Sequence, residues 1–515
     1  MRAAVYNRYW PTLGGGELFA ASIARALVNR GVQVDLVGLD PLNPDTMGER
    51  LGLDLSGVGT VVVGTEHAAS VASSWYDLFV NATYLSSAVN LAPRGVFVVH
   101  FPGPRPQLSA MVRRRFDATL RKSTLRPWLR WIDGLYRPEG DGSTAWTNGL
   151  ARLLVWLPAE GTVSFTLSSR HWPPGHRVEA VVKIGTEVAF RGVVDPGSPV
   201  DVVVRPPVPS AGPALVMIGS DSFSPTLTFG TVDGRQLGLQ LADLRVNGRR
   251  HRIEPSRRTA RPGHSYLDTY DVIAANSGYT ARWVAELWGR DCHVLYPPVA
   301  ARQGGVKERM ILAVGRFFDP RRGHSKKQVE LVRAFRALSR RAAHGWSLHL
   351  VGGCSPEDRD YAMAVKREAA GLPVSVYLNA SKPRLDDLYA RSALFWHAAG
   401  YDENERRTPD RFEHFGISVA EAVTAGCVPL VFAHGGPSEI VAPVPDARVW
   451  HTLDELVETT ARLTTAFDEG RLSGRAGLPA GSTLWGDFDH FSQRLAELLP
   501  TASSAESFAG GAQCS

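Results

Sequence analysis

The sequence predicts an α/β protein with two α/β domains, the second of them doubly wound, and an all-β region inserted into the first. Strand-like and helix-like segments alternate up to about residue 100 and again after residue 299. Between about residues 137 and 256 the helical period is almost absent. A chain of 515 residues also exceeds what one hydrophobic core usually organises, so two or three domains are expected.

The first domain opens with a βαβ pattern. Residues 2–7 form an apolar run typical of a buried strand, and the loop PTLGGGE follows. The segment LFAASIARALVNRG has a helical period that ends at Gly31, and VQVDLVGL predicts a second strand. GVFVVH (95–100) and DVIAANS (271–277) predict further strands of the same domain.

Short alternating or apolar runs fill the middle of the chain, and Pro and Gly separate them at short intervals. GTVSFTLSS, HRVEAVVKI and VDVVVRPP are examples. This pattern predicts an antiparallel β-sandwich. Because the region contributes no residue to the motifs discussed below, we expect it to be dispensable for the chemistry itself.

A second α/β set follows the linker LYPPVA, residues 295–300. MILAVG, SLHLVGG, VSVYLN, ALFWHA and VPLVFA predict strands, and KKQVELVRAFRALS and RLDDLYARS predict helices. We therefore divide the chain as follows: 1–136, first part of the N-terminal domain; 137–256, β-sandwich; 257–298, second part of the N-terminal domain; 299–499, C-terminal domain; 500–515, a disordered tail.

The composition is that of a globular protein, with 44% hydrophobic and 21% charged residues. No apolar run reaches the ~18 residues that a membrane span needs, and MRAAVYNRYWP lacks a signal-peptide core. The four cysteines (Cys292, Cys354, Cys427 and Cys514) are scattered without metal-ligand spacing, which fits a reducing compartment. These observations predict a cytoplasmic protein.

Basic residues are dense in residues 113–131, RRRFDATLRKSTLRPWLRW, and the whole chain has a formal charge of +6. Three interpretations stay open: a solvated helix face, a nucleic-acid patch, and a surface facing anionic lipid. Interleaved apolar residues favour lipid over nucleic acid. No nucleic-acid-binding motif is present, so we expect no nucleic-acid partner and, if the segment binds lipid, a peripheral location at the inner face of the membrane.

The stretch RFEHFGISVAEAVTAG carries two carboxylates, Glu413 and Glu421, on either side of a glycine. On one continuous helix they would lie about 12 Å apart along the axis and about 80° apart around it, a poor geometry for a shared site. Gly416 favours a different arrangement, in which Glu413 lies in a loop and a helix begins near Ile417. Gly416 would then allow the backbone to approach a ligand closely.

Polar residues also fall at the predicted carboxyl ends of strands, where doubly wound sheets bind ligands. His100 ends one strand, Arg316 follows another, and Glu413 precedes the helix at Gly416. Taken alone, His100 is more often structural and Arg316 could be a solvated loop residue. Their shared placement favours a functional site.

Two glycine-rich turns precede helix starts. The first, Gly14–Glu17, contains Gly15 and Gly16 and suits an anion, because free N–H groups and the helix dipole point outwards. A plain turn is the alternative. The dinucleotide-binding spacing is absent, since position 19 is Phe. HGGPSE, residues 434–439, is a similar loop.

Together these segments resemble a known family. GRFFDPRRGHSKKQVELVRAF, HAAGY, EHFGISVAEAVTAGCVPLVFAHGGPSEIV and YPPV are similar to the retaining glycosyltransferases of family four, which have the GT-B fold. The resemblance covers the chain apart from the β region and the tail. HFP at 100–102 and WHAAGY…EHFGI resemble the branch of the lipid-linked oligosaccharide α-1,2-mannosyltransferases, and the β region resembles a sandwich of bacterial glycosyltransferases.

The resemblance implies roles for the site residues. Glu413 would lie beside the donor sugar, and Glu421 would accept hydrogen bonds from the ribose. Backbone N–H groups at the helix start would face the sugar and phosphates, and Arg316, a lysine and His100 would complete the catalytic set. The implied donor-binding residues are Gly15, Gly16, Phe415, Gly416, Ile417, Ser418 and Glu421.

The phosphate lysine departs from the family pattern GR-x5-K. Here it comes ten or eleven positions after Arg316. Counting back from Ala334 and Phe335 along the predicted helix favours Lys326, at the start of that helix, over Lys327.

The implied reaction transfers a hexose, mannose or glucose, from a GDP- or UDP-linked donor to a glycan, lipid-linked or small-molecule acceptor. No D-x-D pair stands out, since Asp386 and Asp387 are adjacent on a predicted helix, so we expect no essential metal and no cofactor. One alternative is a non-catalytic carbohydrate-binding protein that uses the β-sandwich. A nicotinamide-dependent oxidoreductase is disfavoured by the missing glycine pattern.

Overall fold

The structure, a computed structural model, describes residues 1–103, 129–138, 143–206, 211–253, 264–341, 344–472 and 485–499. The basic segment 113–131, apart from its last three residues, and the tail 500–515 lie outside this part of the chain, so what we expect of them stays a prediction. The chain separates into two compact units. Among the described residues, the first unit comprises 1–98, those between 129 and 274, and 498–499, and the second comprises 99–103 and those between 275 and 497.

The first unit begins with the predicted βαβ pattern. Strand β1 continues through a loop into α1, and each further strand is added in parallel. The elements are β1 (Arg2–Tyr6), α1 (Gly15–Asn29), β2 (Gln33–Gly38), α2 (Pro44–Leu51), β3 (Val58–Val62), α3 (Glu66–Ala72), β4 (Leu78–Asn81) and β5 (Arg94–Val99).

The pattern of buried apolar residues explains why β1 and α1 form where they do. Strand β1 is apolar on both faces, and Ala3, Val5 and Tyr6 are fully buried, as in the centre of a parallel sheet. In α1 the spacing of four residues between Phe19, Ile23 and Leu27 places all three on the buried face.

The middle of the chain is antiparallel. Its elements are β6 (Leu129–Leu135), β7 (Thr144–Leu157), β8 (Val163–Ser168), β9 (Val178–Ile184), β10 (Glu187–Val194), β11 (Val200–Val204), β12 (Gly212–Ser220), the short helix α4 (Pro225–Phe229), β13 (Gln240–Val246) and β14 (Arg249–Arg250). The long strand β7 pairs with β6 and β12 along its later part and with β13 at its start. One hydrophobic cluster contains residues of most of these strands. A two-layer sandwich stays a prediction.

Two strands of this region differ from the expectation. Strand β6 begins at Leu129, before the boundary that we placed after residue 136, because Ile132 and Leu135 are buried where β6 pairs with β7. Strand β10 was not predicted, since most of its residues are exposed or half-buried and its register shifts between Val188 and Phe190.

The antiparallel region also packs on the α/β part of the same unit. Val89 and Leu91 form one cluster with Leu150, Leu215 and Met217. The cluster leaves little room, because a Cβ on Gly219 would lie 2.3 Å from Leu91 Cδ1.

A fully buried lysine, Lys183 on β9, lies at the same junction. Its Nζ donates to Ala92 O at 2.7 Å and lies 3.5 Å from Thr269 O. Burial lowers the pKa of Lys183 from 10.5 to about 8, although the charges of Asp271 and Glu187 act in the opposite direction.

Lys183 should make stability depend on pH. Between the folded pKa of about 8 and the ordinary value of 10.5 the unfolded chain binds more protons than the folded one, so stability rises with pH across this window. The gain approaches about 3 kcal/mol. We expect Lys183→Met to lose this rise in denaturant titrations, whereas Lys382→Met, at an exposed lysine, should keep it. Equal pH profiles for wild type and Lys183→Met would contradict the assignment.

The α/β part of the first unit resumes with β15 (Val272–Ala275), which lies beside β5. The strand order from one side is β15-β5-β4-β1-β2-β3. The order reverses between β1 and β4, as in a doubly wound sheet.

The second unit contains a parallel six-stranded sheet in the order β19-β18-β17-β20-β21-β22. This is the predicted doubly wound order, with its reversal between β17 and β20. The elements are α5 (Gly278–Trp288), β16 (His293–Val294), β17 (Glu308–Val314), α6 (Gln328–Arg341), β18 (Ser347–Gly352), α7 (Arg359–Glu368), β19 (Val374–Leu378), α8 (Lys382–Arg391), β20 (Ser392–His397), α9 (Ile417–Thr424), β21 (Val428–Phe432), α10 (Pro437–Val441), β22 (Arg448–Trp450), α11 (Leu453–Asp468) and α12 (Phe488–Leu498).

Within the described ranges, none of the helices has both the length and the apolar character needed to cross a membrane.

Candidate active site

The reversal of strand order in the second unit defines where a ligand would bind. In doubly wound sheets the crevice lies outside the carboxyl ends of the two strands at this point, here β17 and β20. Arg316 lies two residues beyond the end of β17 and is exposed. His397 is the last residue of β20 and is only 4% exposed.

Glu413 lies in the loop before α9, as predicted. Gly416 has φ 107°, a left-handed conformation that glycine adopts without a steric penalty, and the helix begins at Ile417. The Glu413 carboxylate forms an ion pair with Lys326 Nζ, and its Oε2 lies 3.2 Å from His397 Nε2. Burial alone would raise the pKa of Glu413, but Lys326 and the hydrogen bond from His397 outweigh it and hold the pKa well below the usual range.

Lys326 reaches Glu413 from the loop before α6, not from the helix itself. The helix begins at Gln328, and Lys327 has a left-handed φ of 58° that prevents the helix from extending further back. The stem of Lys326 lies across Gly315, where a Cβ would be 2.5 Å from Lys326 Cγ. The expectation that Lys326 starts the helix is therefore wrong by two residues.

Lys327 points to a different partner. Its Nζ lies 2.8 Å from Glu403 Oε1, and both side chains are almost buried, with 8% and 12% exposed. Arg411 Nη1 approaches the same carboxylate at 3.5 Å. The two adjacent lysines thus serve different carboxylates, and only Lys326 contacts Glu413.

Three histidines surround the Lys326–Glu413 pair, and none of them was predicted as a site residue. Burial lowers the pKa of His397, lowers that of His414 to about 4, and lowers that of His324 well below its usual value. All three are therefore neutral near pH 7. The buried atoms His324 Nε2, His397 Nδ1 and His414 Nε2 have no hydrogen-bond partner among the described residues. Neutral imidazoles of this kind can bond sugar hydroxyls. His397 and His414 lie in the segment WHAAGY…EHFGI, and this motif could have pointed to both as site residues.

His100 belongs to the second unit together with Phe101. The Phe101 ring stacks on His414 with 4.3 Å between ring centroids and 13° between ring planes. Thr280 Oγ1 donates to His100 O at 3.3 Å. The structure thus brings the HFP segment to the residue next to Glu413. Strand β5 ends at Val99, one residue before the predicted end at His100, and a catalytic role for His100 stays a prediction.

The second glycine-rich loop supports Glu413 from behind. Gly436 N donates to Glu413 O at 2.8 Å, and a Cβ on Gly436 would lie 2.1 Å from His414 O. Glu439 of the same loop accepts from Gly278 N at 2.9 Å, from Tyr279 N at 2.5 Å and from Tyr296 Oη at 2.9 Å. Glu439 therefore holds the start of α5 in place, and the loop positions the backbone of the site.

Glu421 already has partners within the second unit. Arg302 Nη2 lies 2.5 Å from Glu421 Oε1, and Tyr389 Oη donates to Oε2 at 3.1 Å. Arg302 also pairs with Asp386 and lies over the Tyr389 ring. Arg302 was not predicted as a site residue, because it follows the linker at a position that carries no motif.

The remaining predicted donor residues divide between the units. Phe415, Gly416, Ile417 and Ser418 lie at the start of α9, next to Glu413. Gly15 and Gly16 lie at the start of α1 in the first unit, where the Glu17 carboxylate accepts from Gly14 N at 2.7 Å and from Thr12 Oγ1 at 2.6 Å. Glu17 thus occupies part of the positive helix end, and donor binding by Gly15 and Gly16 stays a prediction.

In the part of the chain that the structure describes, no three His, Cys, Asp or Glu side chains are grouped so as to hold a metal ion. A reaction without a metal stays a prediction.

One comparison with known proteins concerns the segment that contains this site. Residues 301–449 match the family described as glycosyl transferases group 1. This segment contains Lys326, His397, Glu413 and Glu421, so the site lies in the part of the chain that is similar to this family.

Curated relatives and a solved structure extend the comparison. The chain is 24% identical to the mouse GDP-Man:Man(3)GlcNAc(2)-PP-Dol alpha-1,2-mannosyltransferase over 190 residues, 34% of this chain and 36% of the mouse protein. Against the human protein of the same name it is 24% identical over 241 residues, 42% of this chain and 46% of the human protein. The chain thus spans less than half the length of these relatives.

The structure of Anabaena Alr3699/HepE in complex with UDP and glucose matches 96% of this chain and 98% of its own, with a TM-score of 0.50 and 12% identity. This likeness concerns the fold alone. The chain thus shares the α/β fold of this structure, and part of it is similar in sequence to alpha-1,2-mannosyltransferases.

Proposed function

We propose that this protein is a retaining, nucleotide-sugar-dependent hexosyltransferase of glycosyltransferase family four. The observation that carries the proposal is the cluster of Lys326, Glu413 and His397 at the strand-order reversal of the group 1 domain. A fixed cation, Lys326, and a helix start at one crevice form an arrangement that can stabilise a departing diphosphate.

The reaction breaks the bond between the anomeric carbon of the donor and its diphosphate. The transition state resembles an oxocarbenium ion, and the leaving group gains negative charge. Lys326, Arg316 and the N–H groups at the start of α9 would stabilise that charge. Because its pKa is held well below the usual range, Glu413 is ionised near pH 7. It therefore acts as a fixed negative charge and hydrogen-bond acceptor beside the sugar, not as a general acid.

The donor we favour is GDP-mannose, since the curated relatives are named for GDP-mannose-dependent transfer. UDP-glucose is the second candidate, since Alr3699/HepE was solved with UDP and glucose. We propose a glycan or lipid-linked acceptor. For a lipid-linked acceptor, the basic segment 113–131 would contact the inner face of the membrane and the reaction would be cytoplasmic.

Donor hydrolysis by the purified protein tests the proposal. We expect GDP-mannose or UDP-glucose to be hydrolysed slowly and to raise the melting temperature, because a ligand that binds only the folded state stabilises it. The Glu413→Gln variant is the matched control and should lose the hydrolysis while remaining folded. A protein that binds glycans but releases no nucleotide from any GDP- or UDP-sugar would instead support the non-catalytic alternative.

Substitutions of Glu413 and Glu421 should affect different steady-state parameters. Glu421 faces Arg302 and Tyr389, and in the proposed role it holds only the ribose, a bond equally strong in ground and transition states. Glu421→Ala should therefore chiefly raise the donor KM. Glu413→Ala should lower kcat more than it raises KM, because Glu413 faces the reacting sugar. The reverse pattern would exchange the two roles.

A further inference from the structure

A second concave site lies in the first unit, at the junction of the α/β part and the antiparallel region. The cavity has a volume of about 140 Å³, roughly ten times the ~10–15 Å³ that one water needs. The short helix Ser73–Trp75 forms one wall, and residues of β9 and β10 together with Asp221 form the others. None of the motif residues belongs to it.

Trp75 is the aromatic wall of this cavity and is 47% exposed. The turn that carries it is well held. The neighbouring Ser73 is fully buried, accepts from Leu91 N at 2.8 Å and donates to Ser70 O at 2.6 Å, and Ser74 Oγ donates to Val71 O at 2.8 Å. A large aromatic ring held on an ordered turn offers an apolar face to a ligand with little loss of conformational freedom on binding.

Two carboxylates face each other across the strands that line the cavity. Ser220 at the end of β12 pairs with Ala180 of β9, so the next antiparallel position sets Asp221 opposite Glu179. Like charges directly opposite are destabilising. Burial raises the pKa of Asp221, and the charge of Glu179 raises it further. Arg191, in the same cavity, donates to Ser74 O at 2.8 Å and forms no ion pair with either carboxylate among the described contacts.

We propose that this cavity binds one pyranose ring of a glycan, which makes it a carbohydrate site separate from the donor site. The apolar face of the ring would pack on Trp75, and two adjacent hydroxyls would donate to Asp221 and Glu179. Hydrogen bonds donated by the sugar would satisfy both carboxylates and offset the repulsion between Asp221 and Glu179 in the unliganded protein. The choice of a glycan as ligand rests on the proposed function.

Direct observation of the Trp75 indole tests the proposal. In the full-length protein labelled with [15N]tryptophan, the indole signal of Trp75 is the one missing from a Trp75→Phe spectrum. We expect α-1,2-mannobiose or maltose to shift this signal. Asp221→Asn and Glu179→Gln should each weaken the binding about tenfold or more, the cost of losing a hydrogen bond to a charged group. Leu227→Ala, at an 86% exposed residue on α4, should change nothing.

The Glu413→Gln variant distinguishes the donor site from this cavity. In Glu413→Gln the Trp75 shift should persist, so loss of donor hydrolysis and loss of glycan binding are independent results. If neither disaccharide moves the Trp75 signal at tens of millimolar, or if Asp221→Asn and Glu179→Gln both leave the affinity unchanged, the proposal is wrong. A Trp75 shift caused by choline or Ca²⁺ but by neither sugar would overturn it in favour of a cation site.

Discussion

Lys326→Ala is expected to lower kcat by about 10²- to 10³-fold while the protein remains folded. A loss of this size, about 3 to 4 kcal/mol, is typical when one group that stabilises transition-state charge is removed. The structure supports this role for Lys326, because its Nζ forms an ion pair with Glu413 at the crevice and its stem lies across Gly315. Single-turnover transfer with GDP-mannose, under conditions that saturate the donor, is the direct measurement.

Lys327→Ala is the matched control for this prediction. Because Lys327 pairs with the nearly buried Glu403, the change should lower the melting temperature and leave kcat within a few-fold of wild type. A severe kinetic defect in Lys327→Ala together with unchanged kinetics in Lys326→Ala would show that Lys327, not Lys326, is the catalytic lysine. Arg316→Ala should resemble Lys326→Ala, and Arg316→Lys should restore only part of the activity, because an ammonium cannot reproduce the two-pronged contact of a guanidinium.

The pH profile of Lys326→Ala provides an independent readout. Lys326 is the largest influence that lowers the pKa of Glu413, so its removal should raise that pKa. Activity requires ionised Glu413 in our proposal. The residual activity of the variant should therefore fall at a higher pH than wild-type activity does as the solution is acidified. If the acid limb of the pH profile is the same in the variant and the wild type, ionisation of Glu413 does not control the rate-limiting step.

Replacing residues 140–252 by a short linker is expected to unfold the first unit. This revises the expectation that the β region is dispensable. The deletion removes Leu150, Leu215 and Met217 from the cluster that covers Val89 and Leu91. Each fully buried side chain of this kind contributes about 1.5 to 3 kcal/mol, against a total stability of roughly 5 to 15 kcal/mol for a domain. The deletion also removes Lys183, which donates to Ala92 O.

Calorimetry of the deletion variant measures this directly. We expect the transition of the first unit to disappear and transfer to be abolished, while the second unit, which contains the Glu413 site, keeps a transition that GDP-mannose shifts. The control is a small excision, residues 226–233 replaced by two glycines, because Thr226 N and Asp233 O already lie 3.1 Å apart and the Phe223–Leu237 bridge remains. A deletion variant with the wild-type thermal profile would show that the two parts fold independently.

The sequence by itself determined the two α/β domains, the doubly wound sheet of the second, the antiparallel middle region and the loop-to-helix change at Gly416. These features depend on local information. Apolar residues repeat with a period that one element imposes, and a left-handed φ of 107° favours glycine at one position. Glu413, Arg316 and the start of α9 could be located for the same reason, since each follows or precedes an element whose pattern is strong.

Only the tertiary structure decided which groups meet. Lys326 and Lys327 are adjacent and chemically identical, and the left-handed φ of Lys327 and the close approach at Gly315 send one to Glu413 and the other to Glu403. Arg302 reaches Glu421 across 119 residues, and Glu439 reaches the start of α5 across about 160. Such pairings are set by how distant segments pack, and no local period in the sequence encodes them.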